Sequence, residues 1–155
     1  MIVLSTCSQT TLWLAATAAQ DSSSPDADDD RPGHAVRSLR VLVVEDEFFI
    51  SLHIKELLET LGHTVVAIAV SADEAVNVAS KERPDVVLMD IRLIGPRDGI
   101  EAADEIQTRF GIGSIFVTAN TDADTLKRAQ AIKPIALLQK PLTEDRLRVG
   151  LRAIA

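Results

Sequence analysis

The 155-residue chain has no tyrosine, one tryptophan, four phenylalanines and one cysteine. With aromatics at only 3%, the core must be built from Val, Ile, Leu and Ala, which favours packed helices and buried strands over an aromatic-rich binding surface. Cys7 stands alone, so an intrachain disulfide and a cysteine-based metal site are both excluded, and a reducing compartment fits. Basic character is scarce as well. The net charge is −7, and without a basic cluster there is no electrostatic footprint for direct contact with DNA or RNA. The first 20 residues contain no Lys or Arg, which the start of a secretory leader requires, although Ala16-Thr17-Ala18 faintly resembles a cleavage site. Their apolar stretches, Met1–Leu4 and Leu12–Ala19, are interrupted by polar Ser5–Thr11 and are too short to span a bilayer. The expectation is a cytoplasmic protein with no membrane association and a loose N-terminal extension. Part of that extension could be an over-extended start, with the functional chain beginning near Val36.

The stretch Asp21–Arg31 reads D-S-S-S-P-D-A-D-D-D-R, with five acids, one base and no large apolar residue. It cannot bury enough surface to offset its ordering entropy and is read as a disordered linker. Residues 1–38 are therefore set apart from a folded domain over 39–155. From Leu39 the pattern changes. Val41–Val44 is a continuous apolar run that stops at Glu45-Asp46-Glu47, as a strand buried on both faces would. Phe48, Phe49, Leu52, Ile54, Leu57, Leu58 and Leu61 recur at helical spacing, and Gly62 follows as a stop. Thr64–Val70 reads as a second strand. Ser71 and Glu74 form a capping-box pair for the next helix, whose buried stripe is Ala75, Val76, Val78 and Ala79. Val86–Met89, Ser114–Val117 and Ile135–Leu138 read as three more strands. Helices are expected over about 100–110, 122–131 and 143–154. Five apolar runs alternating with five helical patterns predict an α/β fold, a parallel sheet covered by helices on both faces. Ligands in such folds bind at the carboxyl ends of the strands.

Those ends carry the candidate chemistry. Glu45 and Asp46 follow the first strand, Asp90 the third, Thr118 the fourth and Lys140 the fifth. Each signal alone is weak, since an acidic pair after a strand usually marks a helix start. Together, in this order, they are specific. Three carboxylates at one edge would repel unless a cation or a lysine sat among them, and an all-oxygen site with few protein ligands suits Mg²⁺. A carboxylate there could attack phosphorus to give an acyl phosphate, with the metal and Lys140 neutralising the phosphoryl oxygens and the Thr118 hydroxyl donating to one of them.

The stretches V-L-V-V-E-D-E, P-D-V-V-L-M-D-I-R-L, D-G-I-E-A-A, I-F-V-T-A-N and L-L-Q-K-P-L resemble the bacterial response-regulator receiver domain of two-component systems, over about three quarters of the chain. The resemblance implies a flavodoxin-like, doubly wound five-stranded parallel sheet in the order 2-1-3-4-5. It implies that Asp90 is the phosphoacceptor, that Asp46 binds Mg²⁺ directly and Glu45 through water, and that the backbone carbonyl of Arg92 completes the protein ligands. Thr118 would be the switch hydroxyl and Lys140 the phosphoryl-pairing lysine, with a cis bond to Pro141. The implied donor is a histidine kinase or a histidine phosphotransfer protein. The implied output is protein–protein contact through the fourth and fifth helices, with a homodimer allowed. Because the sequence ends after the fifth helical pattern, no attached output domain is expected, and passing phosphate onward as a shuttle is an alternative role.

Three features depart from the family's common pattern. The loop D-I-R-L-I-G-P-R-D-G reaches its Asp-Gly one residue late and has Ile94 where proline is usual. Leu137 holds the place of an aromatic that often turns inward on activation. Arg92 and Asn120 hold two positions that influence how fast phosphate is lost. Of the competing functions, an aspartate-nucleophile phosphohydrolase would place its nucleophile after the first strand, with a second Asp two residues on, where Arg92 stands here. A Rossmann module would need a glycine-rich turn where Glu45-Asp46-Glu47 stands. An unphosphorylated interaction domain would not need the full set of chemical residues. His34, His53 and His63 have no acidic or metal-ligand partner in the sequence pattern, and none reads as a phosphodonor.

Overall fold

The computed structural model describes residues 37–119 and 122–154. The apolar leader-like stretch, Cys7, the acidic run 21–31, His34 and Asn120 lie outside the described residues. The elements are β1 (Arg40–Val44), α1 (Phe48–Thr60), β2 (Thr64–Ala69), α2 (Ala72–Glu82), β3 (Val86–Asp90), α3 (Gly99–Phe110), β4 (Ser114–Thr118), α4 (Ala123–Ala131), β5 (Ala136–Gln139) and α5 (Glu144–Leu151). All strand pairings are parallel, in the order β2-β1-β3-β4-β5. This is the doubly wound fold the alternating pattern predicts.

The sheet is the shared wall of two cores. Successive strand residues face opposite sides, so the unbroken run in β1 serves both. Leu42 and Val44 join Val87, Met89, Phe116 and Ile106 on the α2–α3 side. Val41 and Val43 join Ile54, Leu58, Leu88, Ile115 and Leu147 on the α1–α5 side. Despite the shortage of aromatics, the largest fully buried side chain is Phe116, in the middle of β4.

Helix ends follow their local chemistry. Ser71 accepts from the Glu74 N–H at 3.3 Å, while the Glu74 carboxylate accepts from Val70 rather than from Ser71, so the box closes one residue further back. Asp98 and Glu101 form the reciprocal box at the start of α3. Differences from the sequence reading are mostly at boundaries. β5 begins at Ala136, α5 ends at Leu151 and β2 stops at Ala69, since Val70 turns outward with Glu74 holding its N–H. The exception is α1. Phe48 and Phe49 fit the helical period yet are 66% and 83% exposed, and only Ser51, Ile54 and Leu58 are buried. Periodicity gives a direction around a helix but not where along it burial begins; the buried positions of α1 start at Ser51, and Phe48 and Phe49 lie ahead of them. Among the described residues no helix is long and apolar enough to cross a membrane.

Truncating Phe116 to alanine would remove the bulkiest side chain of the α2–α3 core, and such changes cost about 3–5 kcal/mol. Urea denaturation is expected to show the midpoint falling accordingly, with the native far-ultraviolet circular dichroism retained at low denaturant.

Candidate functional site

Strand register brings the sequence-distant groups together. Asp90 is the last residue of β3 and pairs with Val117, so Thr118 stands one step beyond it. Thr118 pairs with Gln139, so Lys140 stands one step beyond again, with its N–H donating to the Thr118 carbonyl at 2.8 Å. Glu45 leaves β1 with its N–H bonded to the Ala69 carbonyl at 3.0 Å. The result is a crevice at the carboxyl ends of β1, β3, β4 and β5.

Lys140 is the hub. Its Nζ donates to Glu45 Oε2 and to Asp90 Oδ2, both at 2.7 Å. Asp90 Oδ1 accepts from the Arg92 N–H at 3.0 Å, and Glu45 Oε1 accepts a long contact from the Glu47 N–H at 3.4 Å. Glu45 is almost wholly buried, at 1% exposure. Carboxylate oxygens of Glu45, Asp46 and Asp90 all lie within 4.8 Å of one another. One ammonium thus faces three carboxylates, and an acidic cluster of all-oxygen donors with surplus negative charge fits a hard divalent cation.

Electrostatics follow from this crowding. Burial pushes the Glu45 carboxyl above its usual range, the Lys140 hydrogen bond pulls back, and the neighbouring Asp90 adds to the push. Burial alone would lower the Lys140 ammonium, but its hydrogen bonds to Asp90 and Glu45 outweigh this and raise it. The Thr118 side chain is buried at the crevice, and its hydroxyl donates to the Ala119 carbonyl at 3.1 Å. The Lys140–Pro141 bond is cis.

The segment after Asp90 is fixed by one glycine. A Cβ at Gly99 would lie 1.9 Å from the Asp90 carbonyl oxygen, so no other residue fits without displacing the end of β3. The Gly99 N–H closes onto the Ile91 carbonyl at 2.9 Å. Residues 91–98 are therefore a closed arc whose late Asp-Gly still lands on Asp90, while Ile94 at its tip is exposed. Spacing alone could not show this contact, although the D-G pair was its signal. Also missed were the charge pairs that brace the arc. Arg97 bonds Asp73 and Glu105, Arg128 bonds Asp98 at 2.8 Å, and Arg92 lies 3.9 Å from Asp122. Exposed arginines carry no periodic signal that would reveal their partners.

Of the sequence-derived site residues, Glu45, Asp46, Asp90, Thr118 and Lys140 converge on the crevice, and Arg92 contributes its backbone N–H to Asp90. Leu137 sits half-buried on β5, packed against the α2–α3 core. The histidines have structural partners. His63 is buried and its Nδ1 accepts from the Leu39 N–H at 3.2 Å, and burial lowers its pKa. His53 Nε2 lies 3.3 Å from the Leu142 carbonyl.

Residues 41–152 match the family described as the response regulator receiver domain. The chain is similar to the transcriptional regulatory protein PdtaR of Mycobacterium tuberculosis, with 36% identity over 67% of this chain and 50% of that protein. It is similar to the phyllosphere-induced regulator PhyR of Methylorubrum extorquens, with 33% identity over 65% of this chain and 38% of that protein. The chain thus spans half or less of the length of these two relatives. Among solved structures, the signal receiver domain of a modulated diguanylate cyclase from Desulfovibrio desulfuricans superposes with a TM-score of 0.72 at 35% identity. That match covers 76% of this chain and 94% of the other.

The raised Glu45 carboxyl has a consequence for stability. Its contribution is fully present below the ordinary value of 4.5 and is lost as pH rises through the higher folded value. In metal-free buffer, the unfolding free energy of wild type minus that of Glu45→Gln is expected to decline as pH rises above about 4.5 and to level off beyond the folded value. Urea titrations across pH 4 to 8 check this (about four steps of one unit suffice to resolve a slope of this kind), and a flat difference would count against the buried charge.

Proposed function

The chain belongs to the response regulator receiver domain family, and from that premise we propose that Asp90 accepts a phosphoryl group from a phosphohistidine in a kinase or phosphotransfer protein. Receiver domains are phosphorylation-dependent signalling domains, and this chain carries such a domain over residues 41–152. The observation that supports the assignment to Asp90 is its carboxylate in the acidic cluster, with one oxygen held by the Lys140 ammonium and the other by a backbone N–H.

The chemistry follows from these contacts. The Asp90 carboxylate attacks phosphorus in line, the P–N bond to the donor imidazole breaks, and an acyl phosphate forms. Bonds to Lys140 and the Arg92 N–H fix the carboxylate plane, so that little orientational freedom is lost on approach. Lys140 follows the charge, since an ammonium already 2.7 Å from Asp90 can transfer its hydrogen bond to a phosphoryl oxygen. The Thr118 hydroxyl is close enough in register to exchange the Ala119 carbonyl for another. Glu45, Asp46, Asp90 and the Arg92 carbonyl would hold Mg²⁺, which supplies neutralisation of the incoming phosphoryl oxygens. The output we infer is protein–protein contact by the α4–β5–α5 side, in the cytoplasm, with onward phosphate transfer as the alternative. The domain would occupy residues 39–155, preceded by an extension.

Two variants test this reading. Asp90→Asn should abolish hydroxylamine-labile labelling by a phosphorylated histidine phosphotransfer protein, and undiminished labelling would remove Asp90 from its role. Asp46→Asn should relieve repulsion in the metal-free fold, raising its stability by about 1 kcal/mol at low salt. The same variant should lose the stabilisation that millimolar Mg²⁺ gives the wild type.

A further inference from the structure

Leu137 leaves β5 without an aromatic side chain to carry a signal toward α4, and the structure offers another connection. Helix α4 is weakly held by packing. It fully buries one residue, Ala129, where α3 buries five. Two ion pairs instead tie it to the arc that leaves Asp90. At its N-terminal end, Arg92 Nη2 lies 3.9 Å from Oδ2 of Asp122, the N-cap residue whose carboxylate also accepts from the Thr125 N–H and hydroxyl at 2.9 Å. Toward its C-terminal end, Arg128 bonds Oδ2 of Asp98 at 2.8 Å. Asp98 in turn caps α3 next to Gly99, whose position is set by the Asp90 carbonyl.

The two ties differ in strength. The Arg128–Asp98 contact is short. The Arg92–Asp122 pair is long, and its side chains are 68% and 59% exposed, so it is easily exchanged. Arg92 also stands two residues from Asp90, and its own N–H already touches Asp90 Oδ1. A phosphoryl group on Asp90 would bring charge of about −2 and three acceptor oxygens to that place, a stronger partner for a guanidinium than one exposed carboxylate.

We propose that Arg92 is a charge relay: on phosphorylation of Asp90 its guanidinium leaves Asp122 for the phosphoryl group, freeing the N-terminal end of α4 to turn about the Arg128–Asp98 pair. This rests on Asp90 being the phosphoacceptor. The relay makes Arg92 a positioning residue for α4, acting through Asp122. No bond is made or broken except hydrogen bonds and ion pairs. The equilibrium shifts because the phosphoryl group binds Arg92 only when Asp122 is released, which is the differential affinity a switch requires.

Hydrogen exchange of the α4 peptide, read by mass spectrometry on the full chain with and without Mg²⁺ and beryllofluoride, tests this. In wild type, exchange across α4 should quicken several-fold when the phosphoryl analogue is added. Arg92→Gln and Asp122→Asn should both exchange fast without it and change little on its addition. If the single variants show the wild-type increment, the relay is overturned. If the arc after Asp90 is protected by the analogue but α4 does not respond in wild type, the relay falls and the acceptor assignment stands. If the arc shows no protection, and acetyl phosphate adds no mass to wild type, the acceptor assignment fails and takes the relay with it.

Discussion

One ammonium held against crowded carboxylates is the constraint around which this molecule is arranged. Lys140 reaches Glu45 and Asp90 at equal distance, and these three groups come from chain positions 95 and 50 residues apart. No local structure could bring them together. Only a parallel sheet with β1, β3, β4 and β5 in this order does so, and the sheet exists because its strands are apolar on both faces. The arrangement is electrostatically unfinished, because a third carboxylate, Asp46, lies within the same cluster. A fold designed only for stability would have removed one of these acids. The cluster concentrates negative potential at one place, where a cation can relieve it.

Much of this was legible in the sequence, and the reasons are particular. V-L-V-V before E-D-E announces a buried strand because no other element has four apolar residues in a row followed by three acids. Asp90, Thr118 and Lys140 could be placed on one edge because parallel connectivity puts every strand's carboxyl end on the same side. The exposure of Phe48 and Phe49 could not be read, since their spacing matches a buried helical face and only tertiary packing decides otherwise. The partners of Arg92, Arg97 and Arg128 could not be read either. Long flexible cations have many reachable carboxylates, and the choice among them is made by tertiary geometry.

The two halves of the site differ in rigidity for physical reasons. Glu45, Asp90 and Thr118 are buried ends of hydrogen-bonded strands, and their positions are shared with the two cores. Helix α4 is held mostly by charge on the surface, where water competes for every contact. A change of charge at the crevice therefore meets a stiff wall on one side and a compliant helix on the other.

Gly99 has a further meaning for how this chain can change. Its lack of a Cβ lets the start of α3 rest on the Asp90 carbonyl, and its N–H closes the arc onto Ile91. The arc is thereby clasped at both ends like the bail of a bucket. The exposed tip around Ile94 can change in length or composition while the clasps keep their place, which is how one extra residue is accommodated here. The tip around Ile94 is consequently a place where a fluorophore or a short peptide could be grafted as a reporter, carried on the arc that leaves Asp90.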